Sequence, residues 1–156
     1  MGTSQEIDVS VGIDVILEHG FLLLEDHQWA KAKRYFDKAI ELAPKNAYSY
    51  LGRLLVTLKL PTIDALQNAS RSFTGSDNFQ KAMHFADAEL QKKLNNYQTI
   101  VAYNLKEQGY QKACRIIETA DSTEKLDEAI TLLSKLEGYK DTDALITDTK
   151  IKKDNF

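Results

Sequence analysis

Apolar residues recur at helical spacing along almost the whole chain. Ile13, Ile16, Leu17, Gly20 and Leu24 mark one face of a first helix, expected from about residue 11 to 25. Asp26 and His27 interrupt it. A second helix carries Trp29, Ala32, Phe36, Ala39 and Ala43 on one face. Pro44 ends it, because proline has no amide hydrogen for the next helical bond. Asn46 is placed to cap a third helix bearing Tyr50, Leu51, Leu54, Leu55 and Leu58, which stops before Pro61. Thr62 to Ala69 reads as a short helix. Ser70 to Asn78, with Gly75 and three serines, reads as a loop. Asp77-x-x-Gln80 has the form of a capping box opening a helix from Phe79 to Phe85. Asp87 then caps a longer helix with the stripe Leu90, Leu94, Tyr97, Val101 and Leu105. Gly109 is expected to break or kink it, and Tyr110, Ala113, Cys114 and Ile117 share a face of its continuation. Asp121-x-x-Glu124 is a second capping box, followed by Leu126, Ala129, Ile130, Leu133 and Leu136. Gly138 stands where a helix end favours a left-handed residue. A last helix restarts at Asp141 or Thr142 and runs through Leu145, Ile146 and Ile151. No segment alternates as a strand would. The pattern predicts an all-α fold of seven or eight helices.

One short pattern repeats. Trp29-x-x-Ala32, Phe79-x-x-Ala82, Tyr110-x-x-Ala113 and Leu126-x-x-Ala129 each set a large apolar residue three places before an alanine. Phe36, Phe85, Ile117 and Leu133 follow three or four places later. A small residue at a helix crossing lets the two backbones approach, and flanking large residues close over the neighbour. Any amphipathic helix can contain such a spacing by coincidence, so the echo alone does not establish a repeat.

Composition narrows the classes. At 156 residues the chain is one domain or a short stack of repeats, and 43% hydrophobic residues suffice for a core. Only 2 Pro and 7 Gly argue against a turn-rich β-sandwich or barrel. A net charge of −3 disfavours nucleic-acid binding. The single Cys114 cannot form an intrachain disulfide or a zinc-thiolate cage. The N-terminus shows no signal pattern, and Glu6 stands where a myristoylation site needs Ser or Thr. Phe21-Leu22-Leu23-Leu24 is too short to span a bilayer. A cytoplasmic protein without a membrane span is expected.

Gly20, Trp29, Ala32, Phe36, Ala39 and Pro44 fall at the offsets of a tetratricopeptide repeat. Residues 13–46 therefore resemble one unit of about 34 residues, with Gly20 where its two helices approach. Tyr50 fits the aromatic of a next unit, whose first helix would be 47–59; Pro61 to Asn78 then supplies no regular second helix. Further on, Ala129-Ile130-x-x-Leu133-x-x-Leu136-x-Gly138-Tyr139-Lys140-Asp141-Thr142 resembles the "LGDYKDS"-type units of bacterial tetratricopeptide-like proteins, as does Phe85-Ala86-Asp87-Ala88-Glu89-Leu90. Glu137 and Thr149 depart from that pattern, where Gly and Cys are common. Members of that group often carry a zinc ribbon elsewhere, for which this chain has no cysteine cluster. The resemblance implies a tetratricopeptide-like right-handed stack of antiparallel helix pairs. It divides the chain into a flexible segment 1–10, a unit plus the first helix of a second at 11–60, an irregular connection at 61–78, and repeat units at 79–153 packed on the same stack.

Catalysis needs a constellation, and none is evident. His19, His27 and His84 belong to no H-E-x-x-H arrangement, and His19 reads as a packed or surface histidine. Cys114 reads as a small core residue rather than a reactive thiol. No phosphate-binding glycine loop is present, and Asp141-Thr142-Asp143 reads as a helix cap rather than a calcium loop. The basic groups Lys31-Ala32-Lys33-Arg34 and Lys150-Ile151-Lys152-Lys153 are small and read as solvated faces. No enzyme activity, cofactor, metal or nucleic acid is expected.

By the resemblance, Asp14, Leu17, Glu18, Phe21, Tyr48, Leu51, Arg53 and Leu55 would line a concave groove, with Phe21 and Tyr48 as aromatic anchors. Alternatively, these residues pack against the C-terminal helices. Leu17, Phe21 and Gly52 occupy places that a carboxylate clamp would need, so that mode of binding is not supported. The expected function is a non-catalytic scaffold binding a protein or peptide, with homo-oligomers possible. The alternative is a regulatory or sensor domain acting only within a longer protein or complex.

Overall fold

Helices here begin and end where the chain supplies a cap or a left-handed residue. The structure, a computed structural model, describes Ile7 and residues 12–156. Apart from Ile7, the segment expected to be flexible lies outside the described residues. These hold seven α-helices and no strand: α1 (Ile13–Glu25), α2 (Trp29–Leu42), α3 (Ala47–Leu58), α4 (Asp77–Phe85), α5 (Ala88–Thr119), α6 (Thr123–Ser134) and α7 (Thr142–Asp154). A 3-10 turn covers Asp64–Asn68. The chain divides into two compact units, one up to Val101 and one of Ala102–Phe156, so α5 contributes residues to both.

In the first unit, His27 takes a left-handed φ of 57°, and the Gln28 amide returns to the Leu23 carbonyl at 2.8 Å. That turn lets α2 pack on α1. At the centre stands Phe36 of α2, fully buried. A Cβ added to Gly20 of α1 would lie 2.8 Å from the Phe36 ring, and one added to Gly52 of α3 would come closer still. The ring therefore occupies the space that two missing side chains leave. Close approach at Gly20 follows the sequence expectation; the role of Gly52 does not appear in the pattern. Phe21 meets Phe36 edge to face with ring centroids 5.0 Å apart. Ile16, Leu24, Ala32, Ala39, Leu51, Leu54 and Leu55 close the core around them.

Asn46 caps α3 as expected, accepting from the Tyr48 amide at 3.0 Å. The connection from Lys59 to Ser76 is irregular but not idle. It buries Leu66 and Phe73, and Phe73 meets Phe79 edge to face at 5.0 Å. After it, α4 packs on α3, so this helix contributes to the first unit. Its cap differs from the expected box: Ser76 accepts from the Phe79 amide at 3.4 Å. Asp77 instead lies in the first turn, where its charge favours the helix dipole. A one-residue shift in the opposite direction occurs at α6, where Ser122, not Asp121, accepts from the Lys125 amide at 3.3 Å. Asp87 caps α5 as expected, accepting from the Leu90 amide at 2.8 Å.

Gly109 does not break α5, which continues to Thr119. Glycine keeps its helical hydrogen bonds and costs only about 1 kcal/mol relative to alanine. In the second unit α6 packs on α7, and Leu126, Ala129, Leu133 and Leu136 are buried with Ala113 of α5. Gly138 has the expected left-handed φ, 78°. On α7 the buried residues are Thr142 and Thr149, whereas Leu145 and Ile146 are half-buried and Ile151 is exposed. Their hydroxyls donate to the carbonyls of Tyr139 and Leu145, at 2.5 and 2.6 Å, so threonine can stand where apolar residues are expected. All four alanines of the internal echo, Ala32, Ala82, Ala113 and Ala129, are fully buried.

Two glycine substitutions should separate in sign. Gly52→Ala drives a methyl into the Phe36 ring and should cost about 1–3 kcal/mol by overpacking. At Gly109 a Cβ would meet only the Leu136 methyls at 3.7 Å. Gly109→Ala should therefore gain about 0.5–1 kcal/mol of helix propensity. Urea denaturation midpoints read both, and a neutral Gly52→Ala would contradict the packing around Phe36.

Candidate functional site

The richest surface of the first unit forms where two fixed junctions face each other. One is the Ala43–Asn46 turn. Tyr50, within α3, donates its hydroxyl to the Pro44 carbonyl at 2.6 Å and holds that turn against the helix. The other is the α4–α5 junction, where Gln91 donates to the Met83 carbonyl at 2.9 Å. Phe85 stacks on Tyr50 at 5.8 Å and joins the two. Between them lies a depression of about 570 Å³ lined by Pro44, Tyr48, Phe85, Asp87 and Leu90 among others. Tyr48 also lines a cleft of about 740 Å³ that extends along Ile63, Leu90, Lys93, Asn96 and Thr99. Tyr48 is 44% exposed and belongs to both hollows. Phe85 also lines a third hollow with Lys45, Lys81 and His84, and the Lys81 ammonium lies 5.6 Å from the Tyr50 ring centroid.

The residues expected in the groove divide. Tyr48 is exposed at the hollows just described. Phe21 is half-buried against Phe36 and lines a separate depression of about 290 Å³ with Glu25 and Pro61–Asp64. Ile63 and Lys93 line both this depression and the Tyr48 cleft. Asp14 and Glu18 are exposed. Leu17, Leu51 and Leu55 are buried, at 7%, 0% and 0% exposure, so they form core rather than open surface. Arg53 is half-exposed and donates to Asp37 of α2 at 2.7 Å. Burial alone would raise the Asp37 carboxyl, but hydrogen bonds from Lys33 and Arg53 outweigh it and hold it below its ordinary range. Phe85, Asp87 and Leu90 are the lining residues that the groove assignment lacked. Asp87 was legible as a cap, but nothing in the spacing places it opposite Tyr48.

Charge also ties Lys93, which lines the cleft, to the irregular connection. Lys93 pairs with Asp64 at 2.9 Å, and the Tyr97 hydroxyl donates to the same carboxylate. The Tyr97 hydrogen bond, then that of Lys93, lowers the Asp64 carboxyl. This links α5 to the irregular connection.

The second unit holds a different cluster. Tyr103, Glu107 and Tyr110 fall at helical spacing on α5, and Tyr139, Lys140 and Asp141 come from the turn before α7. Lys140 pairs with Glu107 at 2.6 Å, and its ammonium lies 4.9 Å from the Tyr110 ring centroid and 5.5 Å from that of Tyr139. Tyr139 donates to Glu107, and Tyr110 donates to Asp141 at 2.5 Å. Both hydroxyls are held above the usual phenol range, Tyr110 first by that carboxylate and Tyr139 first by burial. Hydrogen bonds from Gln111, Lys140 and Tyr139 lower the Glu107 carboxyl to about 2.

Cys114 is half-buried and free. His19 stacks on Tyr35 at 5.6 Å and His27 on Trp29 at 5.1 Å, so both serve as exposed aromatic partners. Among the described residues no group of three or more His, Cys, Asp or Glu is placed to hold a metal ion, and no helix is long and apolar enough to cross a membrane. No known family model, curated protein or solved structure matches the chain.

The Glu107 cluster predicts a pH dependence. A carboxyl lowered on folding stabilises fully above its unfolded value, near 4.5, and loses that contribution as pH falls toward 2. Wild type should therefore melt above Glu107→Gln near neutral pH, and the two should converge in acid. Parallel thermal melts across the acid range check this; a constant gap would contradict it.

Proposed function

We propose that this chain is a non-catalytic helical-repeat scaffold that binds a protein or peptide partner through the Tyr48 face of its first unit. The observation carrying the reading is Tyr48 itself: a large exposed aromatic on a capped helix start, shared by two hollows with fixed walls. Rigid aromatics beside preformed concavities are the usual anchors of recognition. The resemblance to tetratricopeptide units supports the same role. Small residues at helix contacts, Gly20, Gly52 and the four buried alanines, suit stacked helix pairs. The partner is an extended segment or a helix held by apolar contacts, with Lys45, Lys93, Asp87 and Glu89 setting its register through charge.

The reading is non-catalytic because the side chains with displaced pKa values are engaged in pairs that tie one element to another: Asp37 with Arg53, Asp64 with Lys93, Glu107 with Lys140. Phe21 buttresses Phe36, so its removal would confound binding with folding. Tyr48 is the clean probe. Peptides selected from a displayed random library on the full chain should lose about tenfold or more in affinity for Tyr48→Ala, with helicity and melting unchanged. Failure to select any specific binder, or binders indifferent to Tyr48→Ala, would overturn the assignment of this face.

A further inference from the structure

The tyrosine cluster of the second unit has the chemistry of an ammonium receptor. Cations are attracted to the faces of aromatic rings within about 6 Å, and aromatic cages recognise methylated or quaternary ammonium groups in this way. Here two ring faces, Tyr110 and Tyr139, stand within that range of one ammonium, and the Glu107 carboxylate stands beside it at 2.6 Å. The walls are locked. The Tyr139 hydroxyl is bound to Glu107 and the Tyr110 hydroxyl to Asp141, and the two rings meet nearly edge to face at 5.9 Å. Tyr103 extends the aromatic surface outward, 6.1 Å from Tyr139 and 57% exposed. The occupant belongs to the chain itself. Lys140 reaches the cage from a turn residue at φ +49°, a left-handed backbone that lysine adopts at a cost, and its side chain remains 41% exposed.

We infer that Tyr110, Tyr139 and Glu107, flanked by Tyr103, form a binding site for methylated or quaternary ammonium groups, which Lys140 occupies as a displaceable intramolecular plug. A site held by its own side chain shows its full affinity only when that side chain withdraws, because the apparent affinity scales with the open fraction. A quaternary ammonium differs from the lysine ammonium in giving up hydrogen bonding to Glu107 while covering more of the ring faces. It therefore competes through the rings and the net charge.

The test uses the full chain with labelled tyrosines, titrated with tetramethylammonium chloride against sodium chloride at equal ionic strength. Lys140→Gly and Lys140→Asn both remove the plug with residues that tolerate the left-handed backbone. Saturable shifts of the Tyr103, Tyr110 and Tyr139 ring signals are expected in both variants, at about tenfold lower ligand concentration than in wild type. Adding Glu107→Gln to either variant should abolish them. Choline and a short peptide bearing trimethyllysine, run as separate arms, distinguish a free small cation from a modified side chain by which saturates first. The proposal is overturned if the folded variants show no saturable shifts, if they bind no better than wild type, or if Glu107→Gln changes nothing. Loss of the fold in both Lys140 variants also overturns it, since the ammonium would then be a structural pin and not a plug.

Discussion

The first unit depends on one ring and two absences. Phe36 fills the space where Gly20 and Gly52 carry no side chains, and α1 and α3, which also touch each other, both close on the same ring. Large side chains usually interdigitate by finding gaps between neighbours; here the gap is built into two backbones. Neither glycine is replaceable without moving the ring, and a smaller residue at 36 would leave a cavity between three helices. The junctions that frame Tyr48 inherit their positions from this packing. Tyr50 and Tyr48 lie on the same helix as Gly52, so any shift of α3 against Phe36 moves the hollows too.

Helix number, the caps Asn46 and Asp87, and the buried alanines were all legible in the sequence, since each rests on local chemistry or on the 3.6-residue period. What failed was selection among near-equal alternatives. Asp77 and Asp121 each precede or follow a serine by one residue, and both residue types cap well. The backbone chose serine twice, leaving Asp77 in a first turn and Asp121 before its helix. Periodicity likewise identifies a helix face without saying what covers it. Leu17, Leu51 and Leu55 are expected in an open groove only by the tetratricopeptide resemblance, yet they are buried. Gly52 carried no signal, because a glycine inside a helix is tolerated for many reasons and only the facing Phe36 gives it a purpose.

The two clusters that hold the most chemistry use tyrosine differently. Tyr48 leaves its ring in the open beside preformed hollows, a surface ready for contact. Tyr110 and Tyr139 have their hydroxyls bound to carboxylates and their faces turned to an ammonium, so their polar and aromatic parts are already engaged. Carboxylates also recur as acceptors shared by a tyrosine and a lysine: Asp64 with Tyr97 and Lys93, Glu107 with Tyr139 and Lys140. Each such triad joins α5 to an irregular segment of its own unit.

The buried face of α7 has its own consequence. The residues it fully buries are two threonines whose hydroxyls are satisfied by nearby carbonyls, Thr142 by that of Tyr139 and Thr149 by that of Leu145. Lifting this helix away would uncover the apolar face of α6 that it packs on and break the Lys153–Asp127 pair, but would leave the Thr149 bond intact, because that bond lies within the helix. The two threonines therefore differ in kind: the Thr142 hydroxyl ties the helix start to the preceding turn, whereas the Thr149 hydroxyl satisfies itself within the helix and leaves the hold on α6 to packing and to Lys153.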